Sequence, residues 1–331
     1  MRIIAEAPGR AGVVGNPTDG YGGTVISCST LPRARVELTV GGEGLTASIA
    51  DQTKTFGPSA ADFELADDYF DCLRAVVQYM QIYDFAATID VTTKIPVQAG
   101  LAGSTAVLAA LVAAVHEAFD KTLSPYHLAE TVRTIELHYL KIQCGYQDQY
   151  MAVFGGLNYM DFRQKEHYRP LDRELFASVE PLAPFVDELP FVVAHTGRQR
   201  TSGTVLRPIR ERWLEGDPEV RDGYERAAEL ARLGKRAFIE KSWKQLGRLM
   251  NENHRIQQKL GASGEANDRL IQVALRAGAL GAKLAGAGGG GTIIALAPDG
   301  QDRLKNALTE AGATEFIPLA LANGVRVEKS E

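Results

Sequence analysis

The chain is poor in cysteine. Cys28, Cys72 and Cys144 are the only three in 331 residues, odd in number, widely spaced and without a CxxC pair. That excludes a disulfide framework, argues against a zinc site and fits a reducing compartment. Long hydrophobic runs are also missing. The longest strongly apolar stretch, residues 106–115, falls well short of the roughly 18 residues that a membrane span needs. Glu6, Pro8 and Arg10 interrupt the start before a signal-peptide core can form. Basic charge is not in excess either, and a net charge of −5 leaves no overall field to draw the protein onto a polyanion. The expectation is a cytoplasmic protein whose partners are neither membranes nor nucleic acids.

What the sequence does have is 45% hydrophobic residues, 23% charged residues and 33 glycines. Its length exceeds the roughly 250 to 300 residues at which one core stops growing, so two lobes are expected. Runs rich in β-branched residues at 2–7, 24–27, 34–40 and 86–93 read as strands. Ser59 with Asp62 three residues on opens a helical pattern to about residue 83. Further helices run from Ser104 to about residue 119 and from Ser124, with Pro125 at its first position, to about residue 143. Strands are expected again at 156–162 and 191–196, on either side of a proline-containing acidic stretch at 180–190 that divides lobes 1–185 and 186–331. A nearly all-helical region at 201–275 follows, then strands near 292–296 and 325–327 around a helix at 301–311. The fold class is α+β, without regular βαβ alternation.

The glycines gather in three places. Residues 8–23 hold Gly9, Gly12, Gly15, Gly20, Gly22 and Gly23 together with Arg10 and Asp19, and read either as tight turns between strands or as a close approach to a ligand. Pro96-Val97-Gln98-Ala99-Gly100-Leu101-Ala102-Gly103-Ser104-Thr105 leads from a strand into an apolar helix. A helix start offers unpaired N–H groups to phosphates. It is not a GxxxxGK[ST] loop, because no lysine precedes Ser104, and an ordinary serine N-cap is the plainer alternative. Lys283-Leu284-Ala285-Gly286-Ala287-Gly288-Gly289-Gly290-Gly291 lies between apolar segments, unlike a flexible linker.

Two carboxylates carry chemistry. Glu136 lies beside the apolar stripe of its helix, where a metal ion or a cation would satisfy it; the edge of the stripe, or pairing with Arg133 or Lys141, would also do so. Asp148 falls near the start of the next helix. There it is either a bland N-terminal acid or an acid that orients a substrate hydroxyl and takes its proton.

In this order and company the three clusters resemble the GHMP kinase superfamily, over nearly the whole chain. The twelve-residue offset from Glu136 to Asp148 looks like the spacing of metal ligand and catalytic aspartate in its sugar 1-kinases. Gly15-Asn16-Pro17-Thr18-Asp19, the order of residues 96–104, and Ser202-Gly203 followed by 212–217 look most like glucuronokinases. Gln147-Asp148-Gln149-Tyr150, residues 154–158 and His195-Thr196-Gly197-Arg198 are similar to heptose-phosphate kinases.

The resemblance implies a first lobe like ribosomal protein S5 domain 2, a ferredoxin-like second lobe, and ATP with Mg2+ and a sugar in the cleft. Pro96, Gln98, Ala99, Gly100, Leu101, Ala102, Gly103, Ser104 and Thr105 would bind ATP, and Ser104 and Glu136 the metal. Asp148 would be the base or orienting group, and Arg10 would neutralise charge at the transferred phosphoryl group. Asn16, Asp19, Tyr21, Gly22, Arg198, Gly286, Ala287 and Gly288 would line the acceptor site, residues 286–289 also bracing the phosphate loop. The glutamate–histidine pair of galactokinases is replaced by Asn16 and Pro17, which speaks against galactose.

Arg198, Arg200, Arg207, Arg210 and Arg212 form a dense basic cluster with only Glu211 against them. Most read as a solvated helix face, with Arg198 or Arg200 as a cation for an anionic acceptor. The resulting expectation is a monomeric or homodimeric kinase that phosphorylates the anomeric hydroxyl of a sugar acid, glucuronate first. A heptose-phosphate or other hexose kinase is the enzyme alternative, and a non-catalytic ATP and sugar sensor the alternative of another class.

Overall fold

The computed structural model describes residues 1–163, 165, 176–198 and 202–331, the last of these with only the backbone of 202–204. Arg200 lies outside the described residues. Two long antiparallel strands, β1 (Arg2–Val14) and β2 (Thr24–Val40), form the spine of the first sheet. Alternation holds at residues 2–7, where one face is buried, and stops at Ala7, after which both faces are buried. The pairing register shifts between Pro8 and Arg10 and again between Gly12 and Val14. The first part of the first glycine cluster, to Val14, is therefore a bulged strand, because bulges let a strand bend while keeping its ladder, and the remainder is turns around a 3-10 helix at Thr18–Gly20.

The sheet continues from β2 to β5 (Ala87–Thr93), which takes β3 (Leu45–Ile49) in parallel, and β3 pairs with β4 (Gln52–Phe56). The β3–β4 hairpin turns on Ala50 and Asp51, both left-handed, and no glycine marks it in the sequence. The Ser59–Asp62 capping box exists, but it closes a single 3-10 turn at Ala60–Phe63. The helix expected from it begins only at α1 (Asp71–Met80), after Asp67 takes a left-handed conformation. Against the sheet lies α2 (Gly103–Ala118), buried on nearly every side.

α3 (Pro125–Thr134) is capped by Ser124, whose hydroxyl accepts from His127 N at 3.2 Å. It does not run on to residue 143 but widens into a π-turn at Ile135–Tyr139. α4 (Gln147–Phe154) leads to β6 (Leu157–Asp161), which pairs with the first half of β2, and β7 (Ser178–Pro181) pairs with β6.

The second sheet has the order β11 (Glu315–Ile317), β8 (Phe191–His195), β10 (Thr292–Leu296), β9 (Gly281–Leu284), all antiparallel. Helices α5 (Ser202–Leu214), α6 (Pro218–Ile239), α7 (Trp243–Lys259), α8 (Glu265–Arg276) and α9 (Gln301–Glu310) complete this half. The apolar core is continuous from the first sheet through Leu230, Phe238 and Leu246 to Ile294 and Leu296. A separate small cluster of Ile209, Val220, Tyr224, Leu260, Ala262 and Leu284 holds α5 in place. The closing strand β12 (Arg326–Ser330) pairs with β1, so these residues belong to the first sheet although the division at 185/186 counts them with the second lobe.

Candidate active site

The loop before α2 is shaped by left-handed residues at Gln98, Gly100 and Ala102. Its carbonyls are held from behind: Ala99 O accepts from Thr292 Oγ1 at 3.1 Å, Gly100 O from Arg10 Nη1 at 2.6 Å and Leu101 O from Arg10 N at 2.9 Å. No side chain caps α2. The N–H groups of Gly103, Ser104 and Thr105 thus have no acceptor among the described residues, and with the helix dipole behind them they suit a phosphate.

Arg10, buried at the bulged end of β1, reaches from that loop to Asp148 with Nε at 2.8 Å and Nη2 at 2.6 Å from Oδ1. Asp148 is a third exposed, so one face of its carboxyl stays open. Asp19 sits behind it. Its Oδ2 accepts from the backbone N–H of Tyr146 at 2.8 Å and of Gln147 at 2.9 Å, so a carboxylate from another segment caps α4 and fixes Asp148 one residue later. Burial and the nearby Asp148 raise the Asp19 pKa against those two hydrogen bonds. The approach demands glycine at 145, where a Cβ would stand 1.9 Å from Asp19 Oδ2.

Glu136 lies in the π-turn, 4% exposed, with Oε1 accepting from Thr105 Oγ1 at 2.9 Å and Oε2 from Gln149 Nε2 at 2.5 Å. Burial first, and the Asp148 charge next, push its pKa up to about 7, against the hydrogen bonds of Gln149 and Thr105. Thr105 rather than Ser104 is the hydroxyl on Glu136; Ser104 is exposed at the mouth of the loop. Gln149 Oε1 is buried with no partner. No cluster of three acidic, histidine or cysteine ligands occurs among the described residues. A set of hard oxygens around one carboxylate nevertheless fits Mg2+, which takes its other ligands from substrate phosphates and water.

The third glycine cluster meets the first through backbone. Gly12 N donates to Ala285 O at 2.8 Å, and Asn16 Nδ2 to Gly286 O at 3.3 Å. Gly288 packs on Ala262 O, Ala287 is buried, and a hydrogen bond from this half to the loop before α2 comes from Thr292, just past the glycines. Lys283 is fully buried among them, with Nζ donating to Asn16 Oδ1 at 2.7 Å and to Leu284 O. Burial and the charge of Arg10 hold its pKa well below the usual lysine value. Tyr21 packs on Trp213 and Tyr224, with ring centroids 5.0 and 4.8 Å apart, and Gly22 follows it in a left-handed conformation. Arg198 is exposed and lines a separate cavity of about 630 Å³ with Gly264, Asn267, Arg269, Gly289 and Gly290.

Residues 69–156 match the family model of the GHMP kinases N terminal domain, and residues 235–314 that of the GHMP kinases C terminal. The mevalonate kinase of Thermococcus onnurineus is 30% identical over 99% of both chains. The chain is a GHMP kinase. This GHMP kinase is also 29% identical to probable glucuronokinase 2 of Arabidopsis thaliana, over 72% of its own length and 64% of the relative's. Among solved structures, a heptose 1-phosphate kinase from Bacteroides thetaiotaomicron superposes with a TM-score of 0.75 over 99% of both chains at 21% identity, a likeness of fold. The similarity to glucuronokinase is thus partial, whereas that to mevalonate kinase spans the chain. No described helix is long and apolar enough to cross a membrane.

Three side chains of this site carry no role in the sequence reading: Gln149 enters only within a motif, Thr292 only as the start of a strand, and Lys283 only as the start of a glycine run. Thr105 is expected there as a member of the loop, not as the partner of Glu136. A lysine inside an apolar strand was the one signal that could have been read.

Proposed function

We propose that this GHMP kinase transfers the γ-phosphate of ATP to a hydroxyl of a small carboxylate-bearing acceptor, and that the acceptor is a sugar acid, glucuronate, phosphorylated at its anomeric hydroxyl. The observation that carries the reading is the span of Arg10, from Gly100 O at 2.6 Å to Asp148 Oδ1 at 2.6 Å, which sets a proton acceptor beside an uncapped helix start. The N–H groups of Gly103 to Thr105 would take phosphate oxygens. Glu136, with Ser104 at the mouth of the loop, would hold Mg2+, which supplies charge neutralisation on the phosphates. Asp148 orients the acceptor hydroxyl and receives its proton as the oxygen–phosphorus bond forms and ADP departs. Arg10 faces the charge that develops there, and Asp19 keeps Asp148 in place through the start of α4. The sugar specificity stays with the resemblance of residues 15–19 and 96–104 to glucuronokinases.

Mevalonate is the second reading, favoured by the match to mevalonate kinase over 99% of the chain. Both acceptors carry a carboxylate. ADP release from ATP and Mg2+ with glucuronate, mevalonate, a heptose phosphate and galactose decides among them. Turnover with glucuronate above the rest supports the first reading, and turnover with mevalonate alone replaces it. Binding of both ligands without ADP release from any acceptor would sink the kinase reading in favour of a sensor.

A further inference from the structure

The basic cluster on α5 separates into distinct environments. Arg212 is taken up by Asp217 at 2.7 Å and Glu219 at 2.6 Å, and Arg207 is exposed. Arg210 differs from both. It is half-buried, its Nε is sealed from solvent without a hydrogen-bond partner, and its guanidinium has no ion pair among the described residues. Its place on the helix explains the burial. Leu206, Ile209, Arg210 and Trp213 follow the i, i+3, i+4, i+7 pattern of one face, and Ile209 and Trp213 belong to the small cluster that Tyr21 and Tyr224 complete. Tyr21 packs at a tilt on Trp213, one turn beyond Arg210. Burial first, and the charge of Asp19 next, raise the pKa of the Tyr21 hydroxyl, and the charge of Arg210 opposes them. Asp19 in turn lies within the field of Asp148. Arg210 therefore stands on the α5 segment that packs against Tyr21, two residues along the chain from Asp19, whose carboxylate caps α4 next to Asp148.

A sealed guanidinium nitrogen without an acceptor is costly, and the acids near it are already committed: Asp19 to the α4 amides, Asp217 and Glu219 to Arg212. The missing partner is an anion that arrives with the substrate. Resting on the reading of a carboxylate-bearing acceptor, we infer that Arg210 is the specificity-determining residue that holds that carboxylate, at the opposite end of the acceptor from Asp148. Arg198 stands instead exposed at the other cavity. A guanidinium fork suits a carboxylate better than a lysine does, because it donates two parallel hydrogen bonds.

The test compares wild type, Arg210→Met and Arg210→Lys on matched acceptor pairs: glucuronate against glucose, and mevalonate against 3-methyl-1,3,5-pentanetriol, its neutral counterpart. Arg210→Met should raise KM for whichever acid is used by about 10- to 100-fold, leave KM for ATP unchanged and abolish the preference for acid over neutral partner. Arg210→Lys should restore part of that preference, which a merely structural role would not do. Calorimetric titration of the same four compounds, with circular dichroism as the folding control, separates two kinds of failure. If the acids bind or react with wild type and Arg210→Met keeps the same preference, the role of Arg210 is overturned and the acid reading survives. If wild type accepts only the neutral partners, the acid reading falls and Arg210 falls with it. If the acids bind and Arg210→Met loses them, Arg210 stands even where no phosphoryl transfer is seen.

Discussion

Helices α2 and α3 both begin beside a serine, and they begin in opposite ways. Ser124 closes α3 with its own hydroxyl. Ser104 stands inside the first turn of α2, exposed, and the residue in the capping position is a left-handed alanine that offers no oxygen. α4 shows a third solution, closed by Asp19 from another part of the chain. A helix start that the protein seals for itself supports the fold. One that it leaves open, with the carbonyls of Ala99, Gly100 and Leu101 tied down behind it, suits a ligand, and one sealed from outside fixes the residue that follows it.

Four substitutions break or sharpen this contrast. Asp148→Asn, at the externally sealed start, should lower kcat by about 1000-fold while nucleotide binding is retained, as single-turnover and nucleotide titrations would show; near-normal turnover removes Asp148 from the chemistry. Ala102→Asp gives the open helix a cap, in a left-handed position that aspartate tolerates. It should weaken ATP about 10- to 100-fold without loss of stability, and unchanged affinity would mean that the phosphates do not sit there.

Glu136→Gln acts on the carboxylate above the open start. Its pKa of about 7, against 4.5 for the free side chain, means that the folded state holds the proton more tightly. Stability from this group is complete below pH 4.5 and is lost as pH rises to about 7. The glutamine variant should then exceed metal-free wild type by up to ~3 kcal/mol at pH 8 and match it near pH 4. It should also need more Mg2+ for activity. Denaturant melts at the two pH values and a metal titration check both halves. Ser124→Ala should cost only about 1 kcal/mol of stability and leave both KM values alone.

Arg10 is legible in the sequence because a charge inside a glycine cluster stands out, Glu136 because it lies beside an apolar helix stripe and Asp148 because it falls near a helix start, and their order along the chain carries the family resemblance. Registers are not legible. Whether Ser104 or Thr105 turns toward Glu136 depends on where α2 begins, since successive residues differ by about 100° around a helix. The π-turn at Ile135–Tyr139 adds a residue to a turn without any glycine or proline to announce it. The bulged run of β1 looked like turns because glycine serves both. The hairpin at Ala50 and Asp51 was hidden for the opposite reason, because alanine, which rarely turns left, does so there beside Asp51. The pairing of β12 with β1 is long-range and leaves no local mark.

The small cluster that seats α5 is separate from the core that ties the phosphate loop, β1 and the second sheet together, touching it through Ile256. Substitutions on α5 are thus expected to disturb the loop before α2 less than substitutions in the continuous core do. For this chain that separation makes α5, rather than any glycine cluster, the place to graft a new specificity.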